Sequence, residues 1–253
     1  MLARVHSCAV LGIDGVPLSV EVDHKPAMFR LVIVGLPDTA VKESQERVLS
    51  AIRNSGFHIP HGNTVINLAP ADIRKEGSAL DLPIAIGILA ATDQLTGQRF
   101  SEYSIVGELA LNGAIRPVSG ALPIAIAARD NGLRGVLVPA ENAEECGVVP
   151  GVEAIPVHTL DEAAGYLAGR IEIAPHVTDI RAMLASGKQG GPDYADVKGQ
   201  AHVKRALTIA AAGGHNILMI GPPGTGKTML ASRLPSILPD MTFEEALETT
   251  RVY

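Results

Sequence analysis

The sequence predicts an α/β protein in two parts, and three observations carry that reading. Over residues 1 to about 170, β-hairpin signals mix with strand–helix alternation, which argues a mixed sheet with helices. Between about 171 and 193 the pattern fades into Ala185-Ser186-Gly187-Lys188-Gln189-Gly190-Gly191-Pro192-Asp193, glycine-rich and polar as interdomain linkers are. A second unit, 194–253, then leads through a helix at about Gln200 to Ala212 into the apolar run Ile217-Leu218-Met219-Ile220. Directly after that run stands Gly221-Pro222-Pro223-Gly224-Thr225-Gly226-Lys227-Thr228, followed by Met229-Leu230-Ala231-Ser232-Arg233-Leu234. The order is strand, glycine-rich turn, helix.

Within the first part, Cys8–Leu11 and Leu18–Val22 flank Gly12-Ile13-Asp14-Gly15 as a hairpin. Phe29–Val34 is a third strand. After Gly35-Leu36-Pro37-Asp38, Val41, Val48 and Ile52 recur at helical spacing up to Asn54-Ser55-Gly56, with Asp38 as N-cap and Gly56 as the stop. Thr64–Leu68 is a strand leading into the polar loop Ala69–Ser78. The stretch Ala79–Ala91 is apolar on nearly every side and reads as a buried central helix. Tyr103–Leu111 and Ile115–Val118 flank Asn112-Gly113, a tight-turn dipeptide. A helix follows over about Ser119–Asp130, with Pro123 tolerated only in its first turn. Gly135–Pro139 is a strand, Glu141–Cys146 a short helix, Ala154–Val157 a strand. Thr159-x-x-Glu162 opens the last helix of this part, Thr159–Ala168, as a capping box.

Composition sets the bounds. Hydrophobic residues make up 47% of the chain, yet aromatics are 3% and Trp is absent, so Ala, Val, Ile and Leu must fill the core. A net charge of −6 leaves no global electrostatic footprint for nucleic acid or anionic membrane. Cys8 and Cys146 lie in no C-x-x-C pair and read as two buried thiols. No signal peptide opens the chain, and the longest apolar run, Leu82–Ala91, is about half of what spans a bilayer. A soluble, cytoplasmic protein without membrane partners is expected.

G-x-x-x-x-G-K-[ST] is the phosphate-binding P-loop, and each residue type has a physical task in it. Gly221, Gly224 and Gly226 allow backbone turns that aim successive N–H groups at an anion. The helix starting near Lys227 adds its positive end. Lys227 would neutralise the β- and γ-phosphates of ATP, and the Thr228 hydroxyl would ligate Mg²⁺. Hydrolysis also needs an acidic strand end after the P-loop. None is present: Glu244, Glu245 and Glu248 sit in a helical stretch. The chain therefore reads as a fragment of a longer ATPase, whose Walker B, sensor and arginine-finger residues would lie beyond 253.

Val34-Gly35-Leu36-Pro37-Asp38, Asn67–Asp72, Lys75-Glu76-Gly77-Ser78-Ala79-Leu80-Asp81-Leu82-Pro83 and Gly107-Glu108-Leu109, together with the P-loop, resemble the Mg-chelatase-like AAA+ ATPases of the ComM/YifB type. The resemblance implies an N-terminal Lon-protease-like (ribosomal S5 domain 2-like) mixed sheet with helices, then the start of a P-loop AAA+ domain. It further implies a hexameric ring that drives DNA branch migration or helicase activity in recombination and natural transformation. It makes Val197, within Asp196-Val197-Lys198-Gly199-Gln200, a candidate adenine contact. Other motors of this general type would be an ATP-dependent protein remodeller or a Mg-chelatase-type motor.

The Lon-like fold also raises a rival of a different class, a Ser–Lys peptidase. Ser78 matches the serine loop, but the position matching the lysine is Leu122, which takes no proton. Lys75 is read as a solvated loop lysine and Ser78 as a cap on the buried helix, so the dyad is expected to be lost. His58, Pro60 and His61 lack a third metal ligand, and Asp72 and Asp81 are read as loop and helix caps. Lys188, Lys198, Lys204 and Arg205 make the second unit's start mildly basic, a surface that phosphate backbones or plain solvent would suit.

Overall fold

A computed structural model describes residues 1–251 apart from 60, 76, 98, 180–190 and 240. By its internal contacts the chain divides into two compact units, Met1–Thr178 and Asp179–Tyr253.

The first unit is built on a mixed sheet ordered β1-β2-β4-β3. Strands β1 (Leu2–Leu11) and β2 (Asp14–Lys25) form the expected hairpin, longer than its sequence signal, with Leu11 opposite Asp14 across a two-residue turn. β4 (Asn63–Ala69) pairs antiparallel with β2, and β3 (Arg30–Val34) runs parallel to β4. Alternation fixes which face is covered: Leu18, Val20 and Val22 of β2 and Thr64, Ile66 and Leu68 of β4 are all buried. Helix α1 (Thr39–Asn54) starts where predicted, its Val41 N–H donating to the Asp38 carboxylate at 2.7 Å, and stops at Ser55 and left-handed Gly56.

Against this sheet lies α2 (Asp81–Ala91), every residue of which is buried. It touches β1, β2, α1, β6 (Glu108–Leu109) and α5 (Leu160–Leu167), which explains a composition with no polar face. A second, all-parallel sheet is ordered β5-β8-β9, from β5 (Tyr103–Ile105), β8 (Gly135–Pro139) and β9 (Glu153–Val157). Its central strand is buried throughout, as a parallel strand covered on both faces must be. α3 (Ala121–Asp130) carries Pro123 in its first turn, and α4 is the short Ala143–Cys146. Thr159 caps α5 by accepting the Glu162 N–H, but the returning carboxylate of Glu162 takes the N–H of His158, one residue earlier than in a full capping box.

Two expectations need correction here. Tyr103–Leu111 is not one strand. Gly107 bonds the start of α2 in both directions, its N–H donating to Ala79 and its carbonyl accepting from Leu82, so the run breaks into β5 and β6. β6 then pairs with β7 (Ile115–Arg116) across the three-residue turn Leu111–Gly113, with Gly113 left-handed at φ +84°. Nor does the first unit end at 170. His176 N–H donates to Ala154 O at 2.8 Å, the Thr178 hydroxyl to Glu144 O at 2.8 Å, and Arg99 pairs with Glu172 at 2.7 Å. These are backbone and ionic ties without apolar periodicity, so pattern reading misses them. Within the expected linker, residues 180–190 fall outside the described residues.

Gly15 shows how tightly the hairpin meets α3. A Cβ added there would overlap the Pro123 carbonyl and approach Ala127 Cβ within 2.9 Å. Gly15→Ala is expected to destabilise the first unit by about 1–3 kcal/mol through overpacking. Urea midpoints should show this against Gly191→Ala, where a Cβ meets nothing within 4 Å.

The second unit holds α6 (Ala201–Gly213), α7 (Lys227–Ala231) and α8 (Phe243–Thr250); Leu207 of α6 and Leu230 of α7 form a small core with Val197, and α8 contributes no buried residue. Thr242 and Glu245 form a full capping box at α8, which places Glu244, Glu245 and Glu248 on a helix as read. The expected strand Ile217–Ile220 is not formed: the segment has no ladder. Met219 packs inward while Leu218 and Ile220 stand 82% and 87% exposed, because no other strand among the described residues of this unit pairs with it.

Candidate nucleotide-binding site

The loop Gly221–Thr228 joins that apolar segment to α7, which begins at Lys227. Gly224 at φ +81° and Gly226 at φ +84° occupy left-handed backbone, the conformation for which their missing Cβ is needed. The Thr225 hydroxyl donates to the Pro222 carbonyl at 2.9 Å and closes the turn. Lys227 folds back over it: its ammonium donates to the carbonyls of Gly221 and Pro222 at 2.7 and 2.8 Å. Leu230, one turn on, is buried and anchors α7 in the small core. Thr228 is exposed, and among the described residues its hydroxyl has no hydrogen-bond partner. Pro223 shapes the turn without a backbone donor.

The Asp196–Gln200 segment lies against this loop. Val197 is buried in the core, with its N–H on Tyr194 O and its carbonyl accepting the Lys204 ammonium. Lys204 is thus used internally, while Lys198 and Arg205 are exposed and Lys188 lies outside the described residues. Gln200 donates its amide to Thr225 O at 3.1 Å, a contact that sequence reading missed.

In the first unit, Ser78 does not cap α2. Its hydroxyl donates to the Glu108 carboxylate, and the N-cap position is Leu80 with no side-chain bond. That bond, with Arg116 at 3.3 Å, holds Glu108 below the usual carboxylate range, which weakens it as a base. Leu122 is buried, its N–H on Glu145. Lys75 is not solvated. Its side chain is fully buried, its ammonium donates to Pro70 O, and burial lowers its pKa. The cause is a backbone bridge to the strand end at Pro37, through Lys75 N–H to Leu36 O and Asp38 N–H to Lys75 O. The hydrogen bonds among the described residues bring no lysine to Ser78.

Asp81 is likewise no cap. It is 1% exposed and is gripped in two places by Arg47, at 2.9 and 3.1 Å, while accepting the Leu109 N–H. Burial raises its pKa against the opposing pull of Arg47. Asp72 is exposed, His58 bonds Gln94 through its backbone, Pro60 lies outside the described residues, and no metal-binding cluster of His, Cys, Asp or Glu occurs among the described residues. Both cysteines are buried free thiols, Cys8 pushed up to about 12 by burial. Among the described residues no helix is long and apolar enough to cross a membrane.

Comparison with known proteins joins the two units. The family described as subunit ChlI of Mg-chelatase matches residues 20–142, and that described as magnesium chelatase, subunit ChlI, matches 193–253. The chain is 47% identical over 252 residues to YifB of Escherichia coli and 45% identical over 253 residues to competence protein ComM of Haemophilus influenzae, in each case over 99% of this chain and 49% of the relative. It thus spans about half the length of the curated relatives it matches. A Lon protease of Lachnoclostridium phytofermentans is 26% identical over 163 residues, 59% of this chain and 20% of that protein. This similarity accords with the mixed α/β architecture and supports a Lon-like N-terminal domain.

Proposed function

Because this chain belongs to the Mg-chelatase-like family of YifB and ComM, we propose that it is the ATP-binding N-terminal part of an AAA+ ATPase that remodels DNA. The observation that carries the ATP reading is Gly221–Thr228 with Gly224 and Gly226 both left-handed and Lys227 opening the helix. In that reading the backbone N–H groups of the loop and the Lys227 ammonium hold the phosphates, and the free Thr228 hydroxyl holds Mg²⁺. The residues fit such a group: the lysine's present partners are two carbonyls and the Thr225 hydroxyl of its own loop, which water or phosphate can replace. Mg²⁺ there would neutralise charge on the β- and γ-phosphates. Val197 would border the base through the backbone beside it, since its side chain is in the core.

The assignment of a Lon-like domain and an AAA+ domain to the two units, the ring of like subunits, the cytoplasmic setting and the DNA substrate belong to the same proposal and rest on family membership. The Lon-like domain in it is a loading or assembly platform without peptidase chemistry, because Ser78 faces a carboxylate instead of a lysine.

ATP turnover by the full-length protein, alone and with branched DNA, linear DNA or an unfolded polypeptide at one fixed low salt, tests this reading. Fixed salt matters because phosphate contacts weaken steeply as it rises. Stimulation by DNA, greatest for the branched form, is the expected result. Stimulation by polypeptide alone would overturn the DNA reading in favour of a protein remodeller.

A further inference from the structure

One side chain joins the Asp196–Gln200 segment to the P-loop. Gly199 at φ +70° and Gln200 at φ +54° are consecutive left-handed residues, a conformation free for glycine and costly for glutamine. That turn lays the Gln200 amide on the loop, where Nε2 donates to the Thr225 carbonyl at 3.1 Å. The segment is tied a second time at its other end, Asp196 to Arg233 at 3.9 Å, just after α7. The stretch that precedes α6 is thus tied to the loop at Gln200 and to the residue two past α7 at Asp196.

The carbonyl that Gln200 holds shares one rigid peptide plane with the N–H of Gly226. In a trans peptide the two point in opposite directions, so fixing the oxygen fixes the N–H. This matters because the plane sits beside a glycine at φ +84°, where backbone rotation meets little steric resistance. The other side-chain bonds to loop carbonyls, from Lys227 and the Thr225 hydroxyl, go to Gly221 and Pro222, and the helical N–H groups of Leu230 and Ser232 take the carbonyls of Gly226 and Thr228, so none of them holds this plane's oxygen.

We propose that Gln200 is a positioning residue of the nucleotide site: it locks the Thr225–Gly226 peptide so that the Gly226 N–H stays aimed at the bound phosphates. The proposal rests on the reading of Gly221–Thr228 as a nucleotide site. Gln200 touches neither base nor phosphate in this account. It acts through the loop.

The test is titration of Mg·ADP into the unsubstituted protein and into Gln200→Ala, Gln200→Glu and Lys227→Ala. Gln200→Glu keeps the shape and removes the donor. Both Gln200 variants are expected to raise the Kd by roughly three- to tenfold, the worth of one hydrogen bond, with one binding site per chain and an unchanged melting temperature without nucleotide. A purely architectural role would instead lower that melting temperature or the number of sites and leave the Kd of the remaining sites alone, which would overturn the proposal. So would an unchanged Kd in both variants alongside a loss in Lys227→Ala. Absence of binding by the unsubstituted protein, or equal binding by Lys227→Ala, would overturn the nucleotide reading itself and this inference with it.

Discussion

Lys227→Ala is expected to weaken Mg·ATP binding by roughly a hundredfold or more, the loss of two charge-assisted hydrogen bonds to phosphate. ATP turnover by the full-length protein should fall to background. The first unit should melt as before, because Lys227 bonds only within its own loop. Lys227→Arg is not a rescue: its planar fork is built for a bidentate partner and is larger than the point charge that the folded-back ammonium supplies. Wild-type turnover in Lys227→Ala would show that Gly221–Thr228 is not the nucleotide site. A loss of turnover with intact nucleotide affinity would move the lysine's role from binding to the chemical step.

Arg47→Ala carries the largest expected cost to stability, about 3–5 kcal/mol, because it strands the buried Asp81 carboxylate at the start of α2. The sign of its pH dependence follows from the shift. Asp81 is held above its unfolded value by burial, so the stability linked to its titration is complete below the unfolded pKa and is lost as pH rises through the folded one. Without Arg47 that folded pKa moves higher still. The deficit of Arg47→Ala should therefore be greatest at neutral pH and shrink in mild acid, as Asp81 protonates. Urea unfolding at the two pH values measures it, and a deficit that grows in acid would mean the pair is not what Arg47 contributes. Adding Asp81→Asn to Arg47→Ala should recover much of the loss, since no charge is then left buried.

Local signals in this chain were readable because they are local. Asp38 and Thr159 cap helices where the sequence places them, and Gly56 stops α1. The unbroken apolarity of 82–91 announced a helix with no solvent face. What escaped was pairing at a distance. Arg47 meets Asp81 across 34 positions, Ser78 meets Glu108 across 30, and Gln200 meets Thr225 across 25, with nothing in the spacing to announce any of them. Lys75 misled for a related reason: in a polar loop it reads as a solvated charge, but the bridge to Pro37 draws that loop into the fold. The run Ile217–Ile220 reads as a strand because all four residues are apolar, but a strand also needs a neighbour to pair with, and none is present among the described residues of this unit.

The position of α2 in the chain has a consequence for how the protein is made. The hairpin β1–β2 and helix α1, which cover one side of α2, leave the ribosome before it does. Strand β6 and helix α5, which cover the rest, come later, α5 ending 76 residues after Ala91. At about 5–20 residues per second that interval is on the order of ten seconds. Throughout it, an eleven-residue helix with no polar face stands half-covered on the nascent chain, the interval in which a chaperone has most to shield.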